Sequence, residues 1–196
     1  MSRLLAVGWL ASICLLTGCG GQAGITMDSY AQGHCFYGGF AKTWAQMQRI
    51  PTEFGIDWFF VNEREPIEVT RVSLEGGNGQ LRLVKAEFVP GGSVGSGFTY
   101  DDYREAAVPE FWKRRIAMKS PSSGPPVRLW PLHPTGPRRQ PGDNAWQLVV
   151  GVVPTTDNSS ASRAVIHYTV GGEARAARGA VFLVVTRDNP QGCEEP

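Results

Sequence analysis

The stretch AVIHYTVGGEARAARGAVFLVVTR, residues 164 to 187, narrows the folds open to this chain more than any other. Ile166, Tyr168 and Val170 alternate with His167 and Thr169, which is the period of a strand with one buried face. Gly171 and Gly172 supply the positions of a two-residue turn, and an apolar run from Phe182 to Val185 returns, so the stretch predicts an antiparallel hairpin. Gly179 interrupts the return strand and predicts a bulge or a break into two shorter strands. His167 falls on the phase opposite Ile166 and Tyr168, near solvent. Just upstream, AWQLVVGVVP reads as a strongly apolar strand that opens with a core Trp146. Asn158-Ser159-Ser160 matches a glycosylation acceptor and reads as a polar loop between strands.

Residues 57–90 form another β-rich block. Trp58, Phe60 and Val61 end a strand at the polar cluster Asn62 to Glu65, and Pro66 interrupts pairing before IEVTRVSL resumes. Ile67 and Val69 share a face while Val72 and Leu74 fall on the other phase, so a bulge near Arg71 is needed to return them to the core. EGGNGQ reads as a hairpin turn leading into LRLVKAEFV. The two blocks hold about seven strands, and seven short strands separated by turn signals predict an all-β antiparallel sandwich.

Between the blocks lie nine of the fourteen prolines, in residues 90–141. Proline lacks an amide donor and fixes φ, so SPSSGPPVRLWPLHPTGPRRQPGD cannot form continuous sheet and reads as a long Pro-rich insertion. The part before it, TYDDYREAAVPEFWKRRIAMK, suits one or two short helices broken at Pro109.

At the amino terminus Arg3 precedes a nearly unbroken apolar run, Leu4 to Leu16, and Thr17-Gly18-Cys19 follow. The run is short of the roughly 20 residues that a spanning helix needs and has the form of a signal peptide. Leu16-Thr17-Gly18-Cys19 resembles the lipobox of bacterial lipoproteins. That resemblance implies removal of residues 1–18, lipidation of Cys19 with at least two acyl chains, and an extracytoplasmic protein anchored to the cell membrane. Residues 19–33 then read as a flexible tether and residues 34–196 as one domain. Loss of Arg3 leaves 19 − 1 = 18 basic against 18 acidic residues, which gives no electrostatic reason to expect nucleic acid. Cys14 leaves with the signal peptide and Cys19 takes lipid, so Cys35 and Cys193 remain as a pair for a disulfide in an oxidising compartment.

VNEREPIEVTRVSL and the closing AVIHYTVGG hairpin resemble immunoglobulin-like domains of secreted and lipid-anchored bacterial proteins. The resemblance implies a sandwich and carries no catalytic motif. The antibody-type pattern of a cysteine pair across the two sheets is absent, since Cys35 and Cys193 lie at the domain's ends.

Motifs for chemistry are sparse. GGSVGSG, residues 91–97, lacks the Lys-Ser/Thr ending of a phosphate loop. His34, His133 and His167 have no ligand spacing with one another or with the cysteines, so no metal or other cofactor is expected. No Gly-x-Ser-x-Gly elbow supports a nucleophile. Lys113, Arg114 and Arg115, with Arg138 and Arg139, interleave with Trp112 and Trp130 in the insertion, a pattern suited to an anionic or protein surface. The expectation is a non-enzymatic binding or interaction module. It would meet an envelope protein or cell-wall component through Trp112, Lys113, Arg114, Arg115, Trp130, Arg138 and Arg139. The alternative is a carrier or sensor of a small ligand or metal ion.

Overall fold

A computed structural model describes residues 24–27, 33–37, 43–91, 114–132 and 145–188. Cys19, Trp112, Lys113, Arg138, Arg139 and Cys193, and the stretch expected to be helical as far as residue 113, lie outside them.

Ten strands and one short helix are present among the described residues: β1 Ile25–Met27, β2 Gly33–Tyr37, α1 Trp44–Met47, β3 Thr52–Val61, β4 Ile67–Glu75, β5 Leu81–Pro90, β6 Ile116–Ala117, β7 Val127–Leu129, β8 Trp146–Pro154, β9 Asn158–Val170 and β10 Glu173–Thr186. They form two five-stranded sheets, ordered β1-β3-β8-β5-β6 and β2-β10-β9-β4-β7. Neighbours run antiparallel except β2, which lies parallel to β10. The chain is an all-β sandwich.

Both sheets contribute to a single core. Phe59, Phe88, Leu148 and Val150 come from the first sheet, and Ile67, Val72, Ile166 and Leu183 from the second. Phe59 and Phe88 meet edge to face with ring centres 6.0 Å apart, a preferred aromatic geometry. β8 is buried along its whole length, so its continuous apolar run reflects burial on both faces.

Local sequence signals account for several details. The β9–β10 hairpin forms with Val170 opposite Glu173, and Gly171 and Gly172 both have positive φ. The irregularity expected at Gly179 falls slightly later, between Ala180 and Leu183, where β10 carries an extra residue without breaking. In β4 the register shifts between Val69 and Arg71, which returns Val72 to the core. In LRLVKAEFV, Leu81 and Leu83 share one phase and Val84, Ala86 and Phe88 the other, and a register shift between Leu83 and Lys85 has the same effect.

Four expectations need correction. EGGNGQ does not close a hairpin: β4 belongs to the second sheet and β5 to the first, so this turn carries the chain between sheets. Gly76, Gly77 and Gly79 adopt positive φ, a signal that fixes the sharpness of a turn but not the sheet that receives the next strand. Asn158-Ser159-Ser160 opens β9 rather than forming a loop. The insertion is not wholly irregular, because β6 pairs with β5 and β7 with β4. Each adds a short edge strand, where nearby prolines are tolerated because only one side needs donors. Finally, Ile25–Met27, within the stretch expected to be tether, pairs with β3.

The connections define two ends. At one, the β3–β4 loop, the β9–β10 hairpin tip, the exit from β7 and the start of β8 come together. This is the loop end. At the opposite end lie the β4–β5 and β8–β9 turns.

Candidate functional site

The loop end carries an open groove of about 690 Å³ between residues 62–65 and the hairpin residues 170–175. β3 stops at Val61 and Pro66 delays pairing until Ile67, which leaves Asn62-Glu63-Arg64-Glu65 as a bridge between sheets. Across the groove Arg175 binds Glu63 Oε1 at 3.3 Å and Glu173 Oε2 at 3.0 Å. The hydrogen bond to Glu173 raises the Arg175 pKa further, so this guanidinium is a permanent charge.

Trp130 stands at the same end. Along β7, Val127 and Leu129 turn into the core while Arg128 turns out, and Trp130 continues the outward phase with 49% of its surface exposed. Leu129 lies opposite Ile67, the first residue of β4, which puts Trp130 beside the β3–β4 loop. The indole of buried Trp146 donates to the Trp130 carbonyl oxygen at 2.8 Å. A large apolar side chain is therefore exposed on backbone tied to the core.

The chain also enters here. Ile25 pairs with Val61, Ile25 N–H donates to the Tyr168 hydroxyl at 3.1 Å, and Asn62 Nδ2 donates to Thr26 Oγ1 at 2.7 Å. Gly24 has φ of 112°, and a Cβ on it would collide with the Tyr168 hydroxyl. Only glycine allows the backbone to pass so close.

A second polar cluster lies on the first sheet. Lys85 Nζ sits 2.7 Å from Glu53 Oε1 and 3.1 Å from Glu87 Oε1, and Arg115 Nε lies 3.4 Å from Glu87 Oε1. Gly151 makes the room, since a Cβ there would fall 2.8 Å from Lys85 Cβ. Burial alone would lower the Lys85 pKa, but hydrogen bonds to Glu53 and Glu87 outweigh it and raise it above the ordinary 10.5. Lys85 is thus an ammonium at neutral pH, unsuited to act as a nucleophile or base.

Of the expected partner-binding residues, Trp130 is exposed and Arg114 is exposed at the start of the β6 segment, whereas Arg115 is paired within the chain to Glu87. Cys35 lies in β2 with its backbone opposite Val184. Sequence reading did not single out Glu63, Glu65, Glu173 or Arg175. The available signal was four consecutive polar residues before Pro66 and charges flanking a Gly-Gly turn. His167 Nε2 lies 3.4 Å from Ser73 Oγ. A catalytic pair needs a third group to orient the imidazole, and none holds it among the described residues. Nor do these residues contain a group of three His, Cys, Asp or Glu side chains able to hold a metal ion.

No family model, no curated protein and no solved structure matches this chain.

Proposed function

We propose that the chain is a lipid-anchored extracytoplasmic envelope protein whose sandwich serves as a non-enzymatic interaction module, with the loop end as its binding surface. The observation that carries this reading is Trp130, half exposed on backbone fixed by the Trp146 indole. An exposed tryptophan on fixed backbone offers a large contact area with only two side-chain torsions to restrict. Arg64 and Arg114, both exposed, add charge at the same end. The lipobox-like Leu16-Thr17-Gly18-Cys19 supports the anchor.

The strand order supports an immunoglobulin-like sandwich. β1-β3-β8-β5 follows the A-B-E-D order of such domains, and β10-β9-β4 follows G-F-C, with a hairpin between the last two strands. The departures are the edge strands β2, beside β10, and β6 and β7, which come from the insertion after β5 and lie beside β5 and β4.

The test places a photo-crosslinking amino acid at position 130 in cells and compares it with one at Asp157, exposed at the opposite end. An adduct from position 130, to protein or to lipid, and none from position 157 is expected. Absence of any adduct at 130, or equal yields at both, would contradict the reading. Bound small-molecule or metal mass on the natively extracted protein would favour a carrier instead.

A further inference from the structure

We infer that the loop end rests on the membrane that holds the anchor, with Trp130 seated among the lipid headgroups. This deepens the reading above and rests on lipidation of Cys19.

The short reach of the anchor favours this orientation. Four residues separate Cys19 from Gly24, and an extended chain spans at most about 3.6 Å per residue, so Gly24 lies within about 18 Å of the acylated cysteine. Gly24 is not at the start of a loose tether. Its carbonyl oxygen accepts from Asn62 N–H at 2.8 Å, and Ile25 pairs with Val61, so the point of entry is fixed to the loop end. β9 has 13 residues, and at about 3.3 Å per residue the opposite end is roughly 40 Å farther along the strand direction. A leash of that length keeps the loop end near the bilayer and excludes the inverted pose, in which the opposite end faces the lipid and the loop end points away.

Trp130 is the most exposed large apolar side chain among the described residues, at 49%. Tryptophan favours the headgroup level, where one edge of the ring is apolar and the indole N–H meets water. It lies on the end that the tether holds close. The exposed charges of this end are mixed, Arg64 and Arg114 against Glu65 and Glu173, so attraction to anionic lipid is not what seats this end. Its contact is expected to change little with the anionic lipid fraction.

The test uses full-length protein extracted from its membrane, its Cys19 acylation checked by intact mass, and reconstituted in phosphatidylethanolamine–phosphatidylglycerol vesicles with brominated acyl chains. A dansyl amino acid is incorporated at position 65 in one variant and at position 157 in another. Several-fold stronger quenching at 65 than at 157 is expected, and Trp130→Ala should reduce the quenching at 65 with acylation unchanged. Equal quenching, or more at 157, on a chain shown to be acylated would overturn the orientation and leave the anchor standing. A chain without lipid on Cys19 would overturn the anchor and the orientation together. Unchanged quenching in Trp130→Ala would remove Trp130 from the contact.

Discussion

The two ends of the sandwich are closed in different ways. At the opposite end neutral side chains stitch the two inter-sheet turns to each other. Asn78 Nδ2 donates to Asn158 O at 2.6 Å, and Asn78 Oδ1 accepts from Ser160 N–H at 2.9 Å and from Gln80 N–H at 3.2 Å. Thr155 Oγ1 donates to Gln80 O at 2.6 Å, and Thr156 Oγ1 to Gln80 Oε1. Gly77 is enclosed as well, because a Cβ on it would fall 2.6 Å from Ser160 O. At the loop end one ion pair, Arg175 to Glu63, crosses an open groove, hydrogen bonds from Asn62 and to Tyr168 hold β1, and the Trp146 indole holds the Trp130 carbonyl. At one end the two turns bond directly to each other, and at the other an open groove separates the loop from the hairpin and Trp130 is exposed. That contrast fits a fold anchored in its own contacts at one end and available for contact at the other.

The largest effect is expected where the loop end meets the core. Trp146→Phe removes the bond to the Trp130 carbonyl and leaves a void, at a cost of about 2 to 3 kcal/mol. Amide hydrogen exchange should then quicken at residues 130–132 beyond the global change. Exchange that rises evenly would mean that Trp146 does not hold this end. Asn78→Ala should cost about 1.5 kcal/mol in urea unfolding, since the three bonds are solvent-exposed. No measurable loss would mean that these bonds do not close the opposite end.

Lys85 provides a comparison away from both. Its pKa is raised in the folded chain, so its stabilising contribution is complete below the ordinary 10.5 and is lost as pH climbs through the folded value. Lys85→Met should cost about 1 kcal/mol at neutral pH, a figure reduced for the partial solvent exposure of the ammonium. The gap between wild type and variant should narrow in alkaline urea titrations above pH 10.5. A gap that widens there would reject the ion-pair account. The smallest effects belong to the groove rim: Arg64→Ala and Glu65→Ala should each change stability by no more than about 0.5 kcal/mol. Larger losses would make the groove part of the framework.

The sequence carries the features that are local. The β9–β10 hairpin is written as alternation around Gly171-Gly172, and the β4 irregularity as a phase jump between Val69 and Val72, because both depend on neighbours within a few residues. The destination of β5 is not local. EGGNGQ looks like a hairpin turn by its glycines, while the sheet that β5 enters is set by its pairing with β8, Leu81 opposite Pro154 and Pro90 opposite Trp146. β6 and β7 have two and three residues, too few for a period to show among prolines. The groove is hidden for the same reason: residues 62–65 and 170–175 each read as a turn, and only the stacking of the sheets makes them one surface. Trp130 was legible as an exposed aromatic, but its attachment through Trp146 was not.

Hydrogen exchange on the protein in vesicles, its acylation at Cys19 first established by intact mass, compared with residues 20–196 in solution, tests the difference between the ends most directly. The account predicts slower exchange on vesicles at residues 62–66, 130–132 and 170–173, with residues 76–80 and 155–158 unchanged. Protection at residues 76–80 and 155–158 instead, or at neither end, would contradict it.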